Sequence, residues 1–422
     1  MNQFSSAELA QIKQQALYLC KQHEVAMLLD NNGCDNAFGL RHIEFAAAWG
    51  AKYSLSADKN GLAELQAFIE QHPNEYVFVQ LAYDIKNDLE ALHSHHPDEI
   101  EFPHLFAFVP EQLLVINAEG ECVIGKEHAD FLLAQKLNEG SIPNAVNVLP
   151  RVTQQQYLED IAKIRRHIVL GDVYELNYCM EFFNDDAKLD AYSTYERLKQ
   201  KSPVPFAAFY KLGERFLMCA SPERFLTRKN GRVYSQPIKG TAKRLLHKEE
   251  DEQQKANLLN SEKERAENLM IVDLVRNDLA KTAQTGGVQV DELFGIYSFQ
   301  QVHQMISTVS ATPKATVNST QIIEGAFPMG SMTGTPKIMA MQLIEQYELT
   351  KRGLYSGSVG YFAPNGIFDL NVVIRSLQYN AAKRYVNFEV GGAITYDSVA
   401  EEEYKECLLK ASAMMEVLKG NC

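Results

Sequence analysis

Three extended runs near the C-terminus, separated by tight turns, constrain the fold of this chain more than any other feature. Ser356 to Phe362, Ile367 to Tyr379 and Tyr385 to Val390 are alternating or β-branched, with turns at Pro364-Asn365-Gly366 and near Ala381. Strands joined by such short turns run antiparallel, because a parallel partner needs a crossover of a dozen or more residues. The meander ends in Gly391-Gly392, after which Val399 to Leu418 returns to helical periodicity.

The same punctuation extends upstream. Gln154 to Val169 has helical spacing and stops at Gly171-Asp172, before an extended segment from Val173 to Phe183. Arg215 to Thr227 and Arg232 to Ile238 read as strands joined by Lys229-Asn230-Gly231, and Glu249 to Thr282 reads as one long helix. From Met1 to about Asn138 short apolar strands alternate with helices and carry no motif with chemistry, and the breaker-rich stretch from Asn138 to Pro150 is the candidate linker. Strands grouped between long helices, without regular alternation, predict an α+β architecture with large, mainly antiparallel sheets flanked by helices. Two regions are expected: an N-terminal α/β region over residues 1–145, packed into the same body as a catalytic region over residues 150–420.

With 46% hydrophobic residues in 422, the chain can bury a large core. A net charge of −13, with basic residues scattered among acidic ones, argues against a nucleic-acid groove and for a small-molecule substrate. The N-terminal stretch lacks the apolar segment of a signal peptide, and no apolar run is long enough to span a membrane. Seven widely spaced cysteines without a C-x-x-C pair read as reduced thiols, so a cytoplasmic location is expected.

Two E-x-x-E pairs, Glu264/Glu267 and Glu403/Glu406, place both carboxylates of a pair on one side of a helix. If the helices meet, four hard oxygen ligands suit magnesium better than zinc or iron; either pair alone reads as a solvated charged face before it reads as a metal site. The stretch GAFPMGSMTGTPK offers backbone amides and the hydroxyls of Ser331 and Thr333 to an anion, although Pro336 breaks the phosphate-loop pattern. Gly391 and Gly392 could hold a carboxylate or merely turn the chain. Arg375, inside an apolar strand, requires an anionic partner, either a protein carboxylate or one carried by substrate. Glu223, Lys239 and His303 lie at strand ends; together with a metal and anion clamps they would equip a site to expel a poor leaving group from a dicarboxylate.

From Thr153 to Lys419 the stretches GDVYELN, SPERF, PIKGT, AENLMIVDLVRNDL, VHQMIST, TGTPK, YSGSVGYF, NVVIRSL, VGGAI and EEEYKE follow in an order that resembles the chorismate-utilising enzymes, and among them component I of the aminodeoxychorismate synthases. The resemblance implies a single chorismate-binding fold with its active site in a cleft between sheets and helices. It implies Mg2+ bridging the ring carboxylate of chorismate to Glu267 and Glu406, with Glu264 and Glu403 as inner or water-mediated partners. Tyr355, Arg375 and the backbone at Gly391 and Gly392 would hold the enolpyruvyl carboxylate, and Ser331 the ring carboxylate. His303 would lie along the ring, and Glu223 would protonate the departing C4 hydroxyl.

Lys239 sets the subclass. Relatives that aminate C4 carry lysine there, and this amine attacks C2 as the C4 hydroxyl leaves, before ammonia enters at C4. The amine must be unprotonated, so its pKa is expected to be depressed. Glu175 stands where isochorismate and salicylate synthases carry a water-activating lysine and where amino-transferring relatives usually carry glutamine. The implied product is 4-amino-4-deoxychorismate, a precursor of 4-aminobenzoate and folate. Ammonia would come from a glutamine amidotransferase subunit, since no glutaminase triad surrounds any cysteine here. The competing readings are anthranilate synthase component I, an isochorismate or salicylate synthase using water, and a binding subunit without chemistry.

Overall fold

Local signals set the ends of several elements. Ser5 and Glu8 form a capping box that starts the helix Ser6–Leu19. Thr153 accepts the Gln156 N–H to start Gln154–Leu170, and Gly171, with φ 87°, ends it. Asn230 and Gly231 both have positive φ, the backbone a two-residue hairpin demands, and they join the strands Arg224–Lys229 and Arg232–Gln236. The expected long helix after Glu249 is two helices, Lys248–Asn260 and Glu262–Ala280, because Ser261 leaves helical geometry and caps the second by accepting the Glu264 N–H.

The computed structural model describes residues 3–34, 39–135, 145–300 and 302–420. Their strands form two large antiparallel sheets, of eleven and ten strands. In the first, Glu175–Asn184 pairs with Tyr385–Ile394, and the order continues through Ser376–Asn380, Arg215–Ser221 and Phe206–Leu212 to Val25–Asp30 and Ile43–Trp49. In the second, Ile238–Lys243 pairs with Val302–Pro313, and the order runs through Arg232–Gln236, Arg224–Lys229, Phe368–Asn371 and Ser358–Phe362 to Val77–Leu81. Both sheets therefore contain strands from before residue 135 and from after residue 150. Of the stretch from Asn138 to Pro150, residues 138–144 lie outside the described ones, and Leu149–Pro150 pairs with the strand ending at Asn184.

Alternation along the strands builds three apolar layers. Met27, Ala46, Ala208 and Leu217 of the first sheet meet Phe78, Phe108, Val359 and Tyr361 of the second, so the sheets pack face to face. Leu28, Ala47, Phe209 and Met218 point the other way, into a core shared with Gln154–Leu170 and Ala400–Leu418. Val79, Val233, Val309 and Leu370 of the second sheet pack on Gly61–Gln71, Glu262–Ala280 and Ser319–Ala326. The fold is thus α+β: helices, sheet, sheet, helices.

Two expected strands are divided between the sheets. Arg215 to Thr227 breaks at Pro222-Glu223, with Arg215–Ser221 in the first sheet and Arg224–Lys229 in the second. Ile367 to Tyr379 breaks at residues 372–375, where Arg375 adopts φ 50°, and Phe368–Asn371 and Ser376–Asn380 belong to different sheets. The meander is therefore two hairpins, one in each sheet. Gly391 and Gly392 do not end their strand, which continues to Ile394. A side chain on Gly391 would lie 2.4 Å from the Tyr178 carbonyl of the neighbouring strand, so the sheet closes there only around glycine.

Candidate active site

The two chain crossings between sheets fall beside each other. Glu223 follows the first and Arg375 sits on the second; the Val372 N–H donates to the Glu223 carbonyl, and the Ala220 N–H to the Arg375 carbonyl. Both side chains are thereby carried to the seam where the sheets meet. Glu223 is 5% exposed, and burial pushes its carboxyl up to about 7, moderated by a hydrogen bond from Ser331, by Lys239, and by Arg375. No carboxylate among the described residues pairs with the Arg375 guanidinium, which burial pushes below its ordinary pKa while Glu223 opposes the shift. A half-buried guanidinium without an ion pair is suited to an anionic ligand.

Lys239 enters from the strand Ile238–Lys243, which is held to the helix Glu262–Ala280 by Asn268. The Asn268 amide reaches the Lys239 carbonyl at 3.5 Å and the Met305 carbonyl at 3.4 Å, and its oxygen accepts the Ser307 hydroxyl at 2.6 Å. Lys239 Nζ donates to Glu175 Oε1 at 2.9 Å. Burial works against the ammonium, but Glu175, Glu267 and Glu223 outweigh it and hold Lys239 above the ordinary lysine pKa. This differs from the expected depressed amine: the carboxylates beside Lys239 keep it protonated, and attack on a ring carbon requires a proton acceptor first.

Three of the four glutamates of the E-x-x-E pairs, Glu264, Glu267 and Glu406, register the charge of this lysine. Gly240, with φ 94°, leaves room for Glu264, whose carboxylate lies 3.0 Å from where a Cβ would stand. Glu267 is pushed up to about 7 by burial, with Lys239 opposing and Glu264 reinforcing the shift. On the facing helix Ala400–Leu418, Glu403 is buried with Oε2 3.3 Å from the Cβ position of Gly392. Burial and the neighbouring Glu406 raise its pKa, against a hydrogen bond from Ser398. Glu406 is half exposed and paired with Lys410 at 2.8 Å; burial is outweighed by that lysine, and its pKa is lowered. Glu264 is raised by burial, with Lys263 opposing and Glu406 adding to the shift. The two pairs therefore sense each other across the gap between the helices. Among the described residues no three His, Cys, Asp or Glu side chains form a ready-made metal cage. The donor set nonetheless fits a hard divalent cation: carboxylates only, mutually repelling, partly offset by Lys239, Lys263 and Lys410.

The remaining expected residues are placed as follows. Ser331 lies on the loop Gly330–Met332, with its hydroxyl toward Glu223 and its carbonyl 3.4 Å from the Asn177 amide. The Thr333 hydroxyl is fully buried and donates to the Met329 carbonyl at 3.0 Å, so it shapes the loop instead of facing the cleft. Tyr355 is 4% exposed, with its hydroxyl 3.6 Å from Cys179 Sγ. His303 is buried, with Nε2 3.0 Å from Asp251 Oδ1 and Nδ1 2.8 Å from Ser298 Oγ. Both ring nitrogens are thus engaged.

One structural group escaped the sequence reading. Arg352 is 2% exposed and binds Glu348 at 2.6 Å, the Met332 carbonyl at 2.6 Å and the Asn177 carbonyl at 3.0 Å, while Glu348 accepts the Cys179 N–H. This pair staples the Ser331 loop to the strand that begins at Glu175. Glu348 and Arg352 are four residues apart, the one local signal that could have drawn attention to them.

Comparison with known proteins bears on the family and the fold. Residues 25–416 match the family model described as chorismate binding enzyme. Aminodeoxychorismate synthase component 1 of Escherichia coli strain K12 is 32% identical over 80% of this chain and 75% of its own length. The chloroplastic aminodeoxychorismate synthase of Arabidopsis thaliana is 38% identical over 68% of this chain, but the match spans only 32% of that longer protein. Among solved structures, anthranilate synthase component I from Streptococcus pneumoniae TIGR4 superposes with a TM-score of 0.78 at 24% identity, over 90% of this chain and 94% of that one. The menaquinone-specific isochorismate synthase of Escherichia coli superposes with a TM-score of 0.75 at 16% identity, over 96% and 91%. A family model spanning nearly the whole chain, a matching fold and a seam lined by the motif residues lead to one conclusion: the chain belongs to the chorismate binding enzymes.

Proposed function

We propose that this chain aminates chorismate at C4, giving 4-amino-4-deoxychorismate, with ammonia delivered by a separate glutamine amidotransferase. One observation carries the reading: a lysine amine, Lys239, stands in the same buried cluster as a carboxyl, Glu223, that is poised near neutral pH. A protonated Glu223 can turn the C4 hydroxyl into departing water, and Lys239, once it has lost a proton, can bond to C2 as that water leaves. Ammonia then bonds to C4 while the C2–nitrogen bond breaks and its electron pair returns to Lys239. Arg375 and the backbone at Gly391 and Gly392 would receive the enolpyruvyl carboxylate, and Ser331 the ring carboxylate.

Glu267 and Glu406, with Glu264 and Glu403 behind them, would hold Mg2+, which when bound supplies positive charge to a substrate carboxylate. Among the described residues no helix is long and apolar enough to cross a membrane, and Cys20, Cys34, Cys122, Cys179, Cys219 and Cys407 are free thiols. Free thiols suit a reducing compartment such as the cytoplasm, and the proposed product would serve 4-aminobenzoate and folate synthesis. The test is product identification by mass spectrometry, with purified chain, chorismate, magnesium and ammonium salt. 4-Amino-4-deoxychorismate is expected. Finding 2-aminobenzoate instead, or turnover to isochorismate without ammonia, would overturn the reading.

A further inference from the structure

A second buried polar cluster lies apart from the residues described above, on the adjacent strands Ser376–Asn380, Tyr385–Ile394 and Glu175–Asn184. Gln378 stands directly opposite Asn387, and Glu389 directly opposite Glu181. Tyr379, Val386, Phe388 and Val390 turn into the helix-backed core, so Gln378, Asn387 and Glu389 share the face turned toward the second sheet. They are 2%, 5% and 3% exposed. Gln378 Oε1, Asn387 Oδ1 and Glu389 Oε1 are all buried without a hydrogen-bond partner among the described residues.

The donors nearby are committed elsewhere. The Asn387 amide nitrogen donates to Glu181 Oε1 at 2.8 Å, which settles which end of that amide is the free acceptor. Arg151 and the Tyr385 hydroxyl also donate to Glu181, at 2.8 Å and 2.7 Å. Arg352, whose charge reaches Glu389, directs its N–H groups to Glu348, the Met332 and Asn177 carbonyls and the Ser356 hydroxyl. Among the described residues Glu389 thus forms no ion pair, and it faces a carboxylate, Glu181, that has one. Like charges directly opposite on paired strands repel, and neighbouring buried acceptors without a donor are costly unless something electropositive sits among them.

Water answers this need incompletely, since it brings two hydrogens to three oxygens and no charge to Glu389. Magnesium sheds its hydration shell reluctantly and would carry it into a space between packed sheets. A larger monovalent cation accepts carbonyl and carboxylate oxygens in place of water, and its charge matches the single unpaired carboxylate. Asn387 and Glu181 also line a surface groove with Asp98 and Tyr385, which gives an ion a polar way in. We propose that Gln378 Oε1, Asn387 Oδ1 and Glu389 Oε1 form a binding site for a monovalent cation of the potassium class, separate from the E-x-x-E glutamates and independent of the amination reading. A proton competes with this cation: burial, Glu348 and Glu181 raise the Glu389 pKa well above the ordinary carboxylate range, with Arg352 opposing and Asp84 adding. Alkaline conditions therefore favour the ion.

The experiment is thermal unfolding of wild type and Glu389→Gln in alkaline buffer, with a chelator to remove divalent cations. Potassium chloride should raise the wild-type unfolding temperature above that in tetramethylammonium chloride of equal ionic strength, because the organic cation is too bulky to enter between the strands. The expected shift is about 1–3 °C at roughly ten times the dissociation constant. Glu389→Gln should lose most of this response, whereas potassium held by the E-x-x-E glutamates would act on both proteins alike. No potassium-specific shift in wild type, or an equal shift in the two proteins, overturns the site. A second readout does not depend on the variant folding: wild-type crystals soaked in rubidium chloride should show anomalous scattering among Gln378, Asn387 and Glu389. Anomalous signal found only elsewhere, or none, overturns it as well.

Discussion

Lys239 Nζ and Glu175 Oε1, 2.9 Å apart and held on strands of different sheets, form an ion pair that bridges the two sheets at the base of the site. Replacing Lys239 with methionine leaves a buried carboxylate without its cation, and a stability loss of about 3–5 kcal/mol is expected. Adding Glu175→Gln to that variant should recover much of the loss. Neither protein should form product at more than about a thousandth of the wild-type rate, because the amine is gone. Chemical denaturation alongside product assays checks both expectations.

Glu223 provides a pH signature. With its carboxyl at about 7, the acid form needed to protonate a leaving hydroxyl disappears above neutrality. The value of kcat/KM should therefore fall about tenfold per pH unit on the alkaline side, and Glu223→Gln should lower it by about 10²–10⁴-fold. Stability carries the same sign. The folded state retains a proton that the unfolded chain releases near 4.5, so this contribution is complete below that pH and vanishes as pH rises through about 7. Unfolding free energy measured against pH should slope downward over that window in wild type and lose that component in Glu223→Gln.

Glu267, also near 7, links cation binding to protons. A divalent cation takes the ionised carboxylate, so magnesium affinity should rise with pH up to about 7 and level off above it, with protons released on binding at pH 6. Calorimetric titration in buffers of different ionisation enthalpy measures this release directly. Glu267→Gln should weaken magnesium binding, and chelation should abolish turnover until magnesium is restored.

The Arg352–Glu348 pair should matter for stability more than for chemistry. Arg352→Met strands a 5% exposed carboxylate and removes the donors to the Met332 and Asn177 carbonyls. A destabilisation of about 3–5 kcal/mol is expected, and Arg352→Met with Glu348→Met should lose less than the single variant. Thermal unfolding of the three proteins tests this.

How far these features could be read in advance depended on range. Thr153, Gly171 and Asn230-Gly231 act on their own neighbours, and the elements they delimit are visible in the residues alone. The changes of sheet at Glu223 and Arg375 are not, because an alternating run looks the same whichever sheet receives it. The site shows the same division. Spacing aligned Glu264 with Glu267 and Glu403 with Glu406, but the charge state of Lys239 depends on Glu175, 64 residues away in sequence. His303 in isolation gave no sign of Asp251 and Ser298, which take its two nitrogens.

The placement of Val25–Asp30 between Ile43–Trp49 and Phe206–Leu212 also has a bearing on biosynthesis. On the ribosome, the early hairpin waits for a neighbour still to be made, an interval on the order of 10–40 s at ordinary elongation rates. During that time it presents an open hydrogen-bonding edge to any other nascent chain. Products interrupted before Phe206 should therefore accumulate as insoluble material.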